Sequence, residues 1–199
     1  SVSFQLYGST DVTCTFTNVA APRTSSLTIT KETNPDEGAG FPFMLESVAN
    51  LFLTQLGTPG PGNGQLQLPT GVAVDGSGNV YVAELGSYRV QKFLDDGTWV
   101  TQWGTPGSGN GQFYSPFGVA VDGSGNVYVS DSYNNNIQKF TGSGVYQSQW
   151  GGSGSGAGQF AALGGVAVDG SGNLYAADFN NNRIQKFAGD GTFLMAFGW

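Results

Sequence analysis

Gly71–Asn79 reads Gly-Val-Ala-Val-Asp-Gly-Ser-Gly-Asn, and this short stretch decides the fold. It returns unchanged at Gly118–Asn126 and at Gly165–Asn173, which gives a period of 47 residues. The flanking segment Gln91–Phe93, Gln-Lys-Phe, recurs twice with the same step. A fixed period of roughly 40–50 residues built from short alternating segments predicts a β-propeller or another repeat array.

Each repeat is predicted to hold four short strands. The segments are rich in β-branched and aromatic residues and are bounded by Gly, Asn and Asp, which favour turns. In the first repeat the predicted strands are Val72–Asp75, Val80–Glu84, Arg89–Phe93 and Trp99–Trp103. The first of them is apolar at nearly every position, which indicates burial on both faces near a propeller axis. We therefore predict an all-β fold with three four-stranded blades, at about 72–104, 119–151 and 166–199.

The repeats resemble the NHL repeat, whose pattern is Gly-Gln-Phe-x-x-Pro-x-Gly-Val-Ala-Val-Asp-x-x-Gly-Asn-Val-Tyr-Val-x-Asp-x-x-Asn-x-Arg-Ile-Gln-Lys-Phe. Gly111–Phe140 and Gly158–Phe187 carry it closely, with Asn136 in place of the Arg and Leu163 in place of the Pro. The first repeat departs from it at Glu84, where the other two have Asp. The resemblance implies a propeller, often six-bladed, over residues 51–199. NHL propellers serve as binding platforms, scaffolds and occasionally enzymes.

Residues 1–50 contain no copy of the repeat and are predicted to form a separate region. Thr13–Asn18 followed by Leu27–Lys31 resembles the junction between tandem prealbumin-like, Ig-like repeats of bacterial surface proteins. That resemblance implies a cross-link between Lys31 and Asn18, with Glu46 as the proton carrier. The alternative is a solvated lysine and an ordinary strand-end asparagine.

Leu51–Gly57 keeps the period only at its end, where Gln55-Leu56-Gly57 stands 47 residues before Gln102-Trp103-Gly104. It is predicted to be an outer strand without the other three strands of its blade. Because propellers typically have about four to eight blades, three blades cannot close a ring. An apolar blade face is then expected to stay open at each end.

Composition favours an extracellular, repetitive all-β protein, with 33 Gly in 199 residues and 11% charged residues. A net charge of −7 argues against nucleic-acid partners and against an anionic membrane surface. The sequence has no run of about 18 apolar residues, so it predicts no membrane-spanning segment. The chain opens at Ser1 without a recognisable signal peptide, so a processed or excerpted form is expected. The single cysteine, Cys14, is predicted to be a small buried residue, with an interchain disulfide as the alternative.

The chain has no histidine, which excludes nucleophiles activated by histidine and zinc sites that contain it. NHL-type lyases rely on a histidine-bound metal, so that activity does not carry over to this sequence. We predict a protein that is not an enzyme and that needs no cofactor and no metal. Asp75, Asp122 and Asp169 are predicted to cap their own turns, with calcium binding as the alternative.

Three more carboxylates end the second strand of each repeat, at Glu84, Asp131 and Asp178. They are predicted to cap loops or, with Arg183, to form an ion pair; catalysis by paired carboxylates is the alternative. Trp99, Trp103, Trp150 and Trp199 are predicted to pack between blades rather than to stack on sugars.

One face of the propeller should gather the loops that follow the second and fourth strands of each blade. Its aromatic and amide side chains suit a glycan or an extended peptide, while the alternative is that Asn merely tolerates tight loops. The predicted ligand-binding residues are Tyr88, Tyr133, Asn134, Asn136, Phe179, Asn180 and Asn182.

Two functions are predicted from these features. The first is a structural, self-assembling extracellular or cell-surface protein, such as a fibre or layer subunit, whose partner is itself. The open blade faces and the strand at Leu51–Gly57 favour it, through blade and strand complementation between chains. The second is a glycan- or protein-binding propeller that uses the loop face.

Overall fold

The computed structural model describes residues 56–198. The predictions for Cys14, for the cross-link between Lys31 and Asn18 with Glu46, and for the Ig-like strands lie outside the described residues. The boundary between residues 1–50 and 51–199 also stays a prediction. Within the described part every long element is a strand, and the single helix is the one-turn 3-10 segment Phe179–Asn181. No helix among residues 56–198 is long and apolar enough to cross a membrane.

Three four-stranded antiparallel sheets, each in chain order, form the blades. A short parallel pair, β1 (Thr58–Pro59) and β2 (Gln65–Leu66), precedes the first blade. The strands of the first blade are β3 (Pro69–Val74), β4 (Val80–Glu84), β5 (Arg89–Phe93) and β6 (Trp99–Trp103). The last three have the predicted bounds, and β3 begins three residues earlier than predicted.

The second and third blades repeat this arrangement. The parallel pair β7 (Thr105–Pro106) and β8 (Gln112–Phe113) leads into the second blade. The strands of the second blade are β9 (Pro116–Val121), β10 (Val127–Asp131), β11 (Asn136–Phe140) and β12 (Tyr146–Gly151). The strands of the third blade are β13 (Leu163–Val168), β14 (Leu174–Asp178), β15 (Arg183–Phe187) and β16 (Phe193–Phe197). The predicted all-β fold of three blades is confirmed.

The core lies between blades. We call the face of a blade that looks toward the next repeat its forward face, and the opposite one its rear face. One buried cluster joins Tyr81, Ala83 and Val90 of the first blade to Phe113, Val119, Val127, Val129 and Phe140 of the second. A second cluster joins Tyr128 and Ile137 of the second blade to Phe160, Leu163, Leu174, Ala176 and Phe187 of the third. Each blade is therefore stabilised by its neighbour.

The innermost strands β3, β9 and β13 differ in burial. The innermost strand was predicted to be buried on both faces, and this holds only for β9 of the second blade. Strand β9 packs between β3 and β13, and its Val119 is 6% exposed. Its counterpart Val72 in β3 is 66% exposed, and Val74 is 60% exposed. The sequences are the same, so the difference comes from the neighbours that each blade has.

Candidate functional site

The carboxylates that end the second strand of each blade are fully buried and hold the loops of one face together. Asp131 accepts backbone N–H groups from Tyr114 at 2.7 Å, Ser115 at 3.1 Å and Asn134 at 2.9 Å. It also accepts the side-chain amide of Asn134 at 2.9 Å. Two different connections thus end on one carboxylate, which is the predicted loop cap. The carboxylate therefore serves as a structural cap for both connections.

Two of these carboxylates form buried ion pairs with arginine. The Nε of Arg89 lies 2.6 Å from the Oε2 of Glu84, and the Nε of Arg183 lies 2.7 Å from the Oδ2 of Asp178. The guanidinium of Arg89 also donates to three carbonyl oxygens of the preceding connection, those of Pro61, Gly62 and Gln65. The ion pair predicted for Arg183 is confirmed, and Arg89 forms one as well.

The second blade has Asn136 where the other two have arginine. The Nδ2 of Asn136 reaches the Oε1 of Gln149 at 3.5 Å, and its Oδ1 is buried without a partner among the described residues. The second blade therefore lacks the cation that ties a connection to its carboxylate in the other two.

The aspartates of the repeated stretch cap their own turns, as predicted. Asp75 accepts backbone N–H groups from Ser77 at 2.9 Å and Asn79 at 3.0 Å, together with the side-chain amide of Asn79 and the hydroxyl of Tyr81. Burial alone raises the pKa of Asp75, but these hydrogen bonds outweigh it and the pKa is lowered. Asp122 behaves in the same way.

The third of these aspartates, Asp169, has its pKa lowered to about 2, mainly by the side chain of Asn173. Each turn contributes a single carboxylate whose oxygens already serve protein donors. Among residues 56–198, no three His, Cys, Asp or Glu side chains lie together as a metal site would require.

The loop face has the predicted topology, since each loop after a second strand bonds to the connection that precedes its blade. The N–H of Leu85 donates to the carbonyl of Leu68 at 3.0 Å, and that of Asn180 to the carbonyl of Ala161 at 2.9 Å. All seven predicted ligand residues therefore lie on this face. Their side chains, however, differ in exposure and in the hydrogen bonds that they make within the protein.

The aromatic members of the predicted site are exposed, and the amides are divided. Tyr133 is 73% exposed, Phe179 is 74% exposed and Tyr88 is 36% exposed. Tyr133 packs edge-on against Tyr114, with 5.4 Å between ring centroids. No such ring contact joins Tyr88, Tyr133 and Phe179 to one another within the described part of the chain. The predicted site is thus three separate exposed rings, one on each blade.

Asn180 and Asn182 are exposed, whereas Asn134 is used internally. The Nδ2 of Asn134 donates to Asp131 and to the carbonyl of Gly107 at 3.0 Å. Asn182 has a φ of 53°, in the left-handed region that asparagine tolerates better than most residues. The alternative explanation, tight loop geometry, therefore accounts for part of the set.

Trp103 and Trp150 pack between blades, as predicted. The ring of Trp103 lies 6.3 Å from that of Tyr81 in its own blade and 5.7 Å from that of Phe140 in the next. Trp150 makes the equivalent contacts with Tyr128 and Phe187, at 6.2 Å and 6.1 Å. The ring of Trp103 also covers Gly144, where an added Cβ would lie 2.6 Å from it. Trp199 lies outside the described residues.

A polar contact crosses each boundary between blades. The Nζ of Lys92 donates to the carbonyl of Gly142 at 3.2 Å and lies 5.1 Å from the ring centre of Tyr81. The Nζ of Lys139 donates to the carbonyl of Gly189 at 2.8 Å. Burial, with the hydrogen bond to Asp75, raises the pKa of Tyr81 to about 12. The first and second blades thus each donate hydrogen bonds from a lysine and a tyrosine to a backbone carbonyl of the next blade.

The forward face of the third blade has the same groups without this neighbour. Lys186 points to Asp169 of its own blade, with 3.8 Å between Nζ and Oδ2. Phe197 stands at the position of Trp103 and Trp150 and is 46% exposed. A cavity of about 350 Å³ opens on this face, lined in part by Ala177, Ile184, Phe197 and Gly198.

The blade sequences match a known family. The sequence profile of the NHL repeat matches residues 66–93, 113–140 and 160–187. Three segments of this chain therefore match the NHL repeat. NHL repeats form propeller-like folds of a type that serves in protein interactions. Each matched segment runs from the end of a connection to the third strand of its blade.

Solved structures share the propeller-like fold of four-stranded blades. A catalytically inactive virginiamycin B lyase from Staphylococcus aureus with quinupristin has 18% identity and a TM-score of 0.53, over 71% of this chain and 43% of that one. A streptogramin B lyase has 20% identity and a TM-score of 0.55, over 73% and 44% of the two chains. A nidogen/laminin complex contains a chain with 22% identity and a TM-score of 0.51, over 65% and 49%.

These likenesses show the fold alone, and this chain spans less than half the length of the solved chains that it matches. No curated protein matches the sequence. The similarity to lyases does not transfer their activity.

One set of structural residues was not predicted from the sequence. Gln91, Gln138 and Gln185 are fully buried, and each bonds to the connection that leads into its own NHL repeat. The Nε2 of Gln138 donates to the carbonyl of Gln112 at 2.7 Å, and its Oε1 accepts the N–H of Gly111 at 2.8 Å. The recurrence of Gln-Lys-Phe was the available signal, because an amide repeated in a strand next to apolar residues needs a buried partner.

Proposed function

We propose that this protein is a structural extracellular subunit that assembles with copies of itself, the third blade of one copy packing on the first blade of the next. The observation that carries the proposal is the contrast between Val119, 6% exposed, and Val72, 66% exposed, in identical stretches. A second copy packed on the first blade would bury Val72 as the first blade buries Val119.

The two open faces are complementary because they repeat two interfaces that already exist. The forward faces of the first and second blades meet the rear faces of the second and third blades. The forward face of the third blade carries Tyr175, Lys186 and Phe197 at the corresponding positions, and the rear face of the first blade carries Val72 and Val74. A copy docked with the same geometry would make the same set of contacts.

The apolar side chains on the two open faces can offset the free-energy cost of association. Burying one Val, Leu or Phe side chain contributes about 1.5–3 kcal/mol, while association costs about 4–15 kcal/mol in lost freedom. Val72, Val74 and Phe197 are exposed large apolar residues on these faces. With the backbone contacts of the inner strands they supply a gain of the required order.

The contact is head-to-tail, since the two faces differ. Such a contact gives a filament unless the rotation closes the ring, in which case two copies form a six-bladed ring. We favour the filament, which fits a fibre or layer subunit outside the cell. The low charged fraction of 11% and the repetitive composition support that location.

The test is the oligomeric state over a concentration series, by native mass spectrometry and electron microscopy. We expect ordered oligomers or filaments that dissociate on dilution. A folded monomer at all concentrations overturns the proposal, and a discrete dimer replaces the filament by the closed ring.

Two glycine variants make the test specific. A Cβ added at Gly165 meets nothing within 4 Å, but one added at Gly118 meets the Cα of Gly165 at 2.9 Å, and one added at Gly71 meets the carbonyl of Phe117 at 2.6 Å. Gly165→Ala should leave the fold intact and abolish assembly, because its Cβ would face the inner strand of the docked copy. Gly170→Ala is the control, since Gly170 and its counterparts Gly76 and Gly123 meet nothing.

Ligand binding by the loop face is the second candidate function. The exposed pair Tyr114 and Tyr133 favours it, since two rings at 5.4 Å offer an aromatic surface to a sugar or a peptide. Binding to a glycan array by a monomeric preparation, lost in Tyr133→Ala and retained in Leu94→Ala, would support it. An array without binding would remove the glycan form of this proposal.

A further inference from the structure

The two boundaries between blades each contain an aromatic side chain inserted into the blade before it. Phe113 is fully buried against Ala83 and Val90 of the first blade, and Phe160 is fully buried against Ile137 of the second. Both rings lie over a glycine of that blade. A Cβ added at Gly104 would lie 2.9 Å from Phe113, and one added at Gly151 would lie 3.1 Å from Phe160. We call this arrangement the ring socket.

The third blade has the same socket, and among residues 56–198 no following blade inserts an aromatic ring into it. Its cavity of about 350 Å³ is lined by Ala177, Ile184, Phe197 and Gly198, together with four residues at and after the end of β14: Asp178, Phe179, Asn182 and Arg183. Each of the first four residues stands 94 positions, or two repeats, after its counterpart in the first blade. The counterparts are Ala83, Val90, Trp103 and Gly104. The cavity is therefore the position that a ring equivalent to Phe113 and Phe160 would occupy.

The chain also holds a side chain that matches the missing occupant. Leu66 stands 47 residues before Phe113 and follows Gln65 as Phe113 follows Gln112. Its segment is fixed in the same way, since the Nε2 of Gln91 donates to the carbonyl of Gln65 at 2.6 Å and its Oε1 accepts the N–H of Gly64 at 3.0 Å. Leu66 is half-buried, whereas Phe113 and Phe160 are fully buried.

We propose that the socket of Ala177, Ile184, Phe197 and Gly198 binds the side chain of Leu66 from a second copy of this protein. This inference rests on the proposed self-assembly and names its contact. In the single chain Leu66 lies against Gly57, where an added Cβ would be 2.7 Å from its Cγ. Gly57 stands 47 residues before Gly104, so docking exchanges one glycine for its repeat counterpart, Gly198.

This exchange has a consequence for the segment before β1. In the sequence, Leu56 and Gly57 precede Leu66 by the same number of residues as Trp103 and Gly104 precede Phe113, and Gly57 lies against Leu66 as Gly104 lies against Phe113. A docked copy brings Phe197 and Gly198 against Leu66, and Leu56 and Gly57 must then leave this position. Phe197 covers more apolar surface than Leu56, which favours the exchange.

Site-directed cross-linking tests the contact on the full chain. In a Cys14→Ser background, Leu66→Cys is combined with Ile184→Cys, and a short bismaleimide is added above the assembly concentration. We expect covalent oligomers that contain most of the protein, linked between residues 66 and 184 as shown by peptide mass mapping. The control pair, Leu66→Cys with Val100→Cys, places the second cysteine on an outer strand and should give few links.

The outcomes separate this inference from the proposed function. Oligomers in native mass spectrometry without a link between residues 66 and 184 would overturn the socket assignment and leave self-assembly standing. A monomer throughout would overturn both. Leu66→Ala should raise the dissociation constant of assembly by about tenfold, and Leu66→Phe should lower it. An unchanged dissociation constant in both variants, each with an unchanged melting temperature at high dilution, would also overturn the assignment.

Discussion

The Nζ of Lys139 lies 2.8 Å from the carbonyl oxygen of Gly189, across the boundary between the second and third blades. Lys186, at the same position of the next repeat, lies 3.8 Å from Asp169 within its own blade. One lysine therefore joins two sheets and the other does not. In the monomer at high dilution, Lys139→Met should lower the free energy of unfolding by about 1–2 kcal/mol, because it leaves a carbonyl without its charged donor.

Lys186→Met is the matched control, since its ion pair is partly exposed and contributes little. Chemical denaturation of both variants measures the difference. Equal losses would contradict the structural role given to the bond between blades.

The inner strands approach too closely for a methyl group at Gly118. A Cβ there would lie 2.9 Å from the Cα of Gly165 and 2.9 Å from the Oγ of Ser130. Gly118→Ala should destabilise the monomer by about 1–3 kcal/mol through overpacking. Gly165→Ala should leave the melting temperature of the monomer unchanged, and a comparable loss in both variants would show that crowding is not the cause.

Asn136 marks a position where stability can be gained. Arg89 and Arg183 each bind a buried carboxylate and carbonyl oxygens of the preceding connection. Asn136→Arg should give Asp131 the same partner, relieve the unpaired Oδ1 and raise the free energy of unfolding by about 1–2 kcal/mol. Asn136→Lys serves as the control, because a lysine cannot reproduce the fork of a guanidinium. Thermal melts compare the two, and a lower melting temperature for Asn136→Arg would refute the prediction.

The turn aspartates should make the protein sensitive to acid. The pKa of Asp169 is about 2 in the folded protein, below its ordinary value of 3.8. The folded state therefore favours the ionised form, and the stabilisation is complete above about pH 4 and is lost as the pH falls toward about 2. Asp75 and Asp122 shift in the same direction.

Melting temperatures measured from pH 7 to pH 2 should fall most steeply in this lower range. Asp169→Asn removes one titrating group and should flatten the profile there. Identical acid profiles for Asp169→Asn and the parent chain would exclude a contribution from Asp169.

Removal of metal should leave stability unchanged. A calcium site needs about six to eight oxygen ligands, and each turn aspartate brings one carboxylate that is already hydrogen-bonded. The melting temperature should be the same with and without a chelator, and addition of calcium after chelation is the control. A drop of several degrees that calcium reverses would show a site that includes these turns.

Much of the fold follows from the repeat itself. Strands β4, β5 and β6 have the predicted bounds, because the Gly and Asn of the neighbouring turns interrupt the runs of β-branched and aromatic residues. Strand β3 begins at Pro69, earlier than predicted, since a proline is a poor indicator of a strand start. The assignment of Trp103 and Trp150 to the boundaries between blades also followed from the repeat.

The candidate site was harder to predict. The sequence places Asn134, Asn180 and Asn182 on one loop face but does not show which amides point inward. Asn134 is three residues after Asp131, as Asn181 is after Asp178, and this spacing lets the amide cap the carboxylate. Asn180 and Asn182 fall outside that spacing and are exposed. The different exposure of Val72 and Val119 could not be predicted either, because the two stretches are identical and burial depends on whether another blade lies next to the strand.

Each buried glutamine fastens the linker of its own repeat, as Gln138 does with Gly111 and Gln112 and Gln185 does with Gly158 and Gln159. Each repeat therefore carries both the linker and the glutamine that binds it. Unequal recombination between the identical Gly-Val-Ala-Val-Asp-Gly-Ser-Gly-Asn stretches adds or removes a whole number of blades, and every hybrid blade keeps its glutamine and the loop that the glutamine holds. The number of blades can thus change while each linker keeps its hydrogen bonds to a buried glutamine.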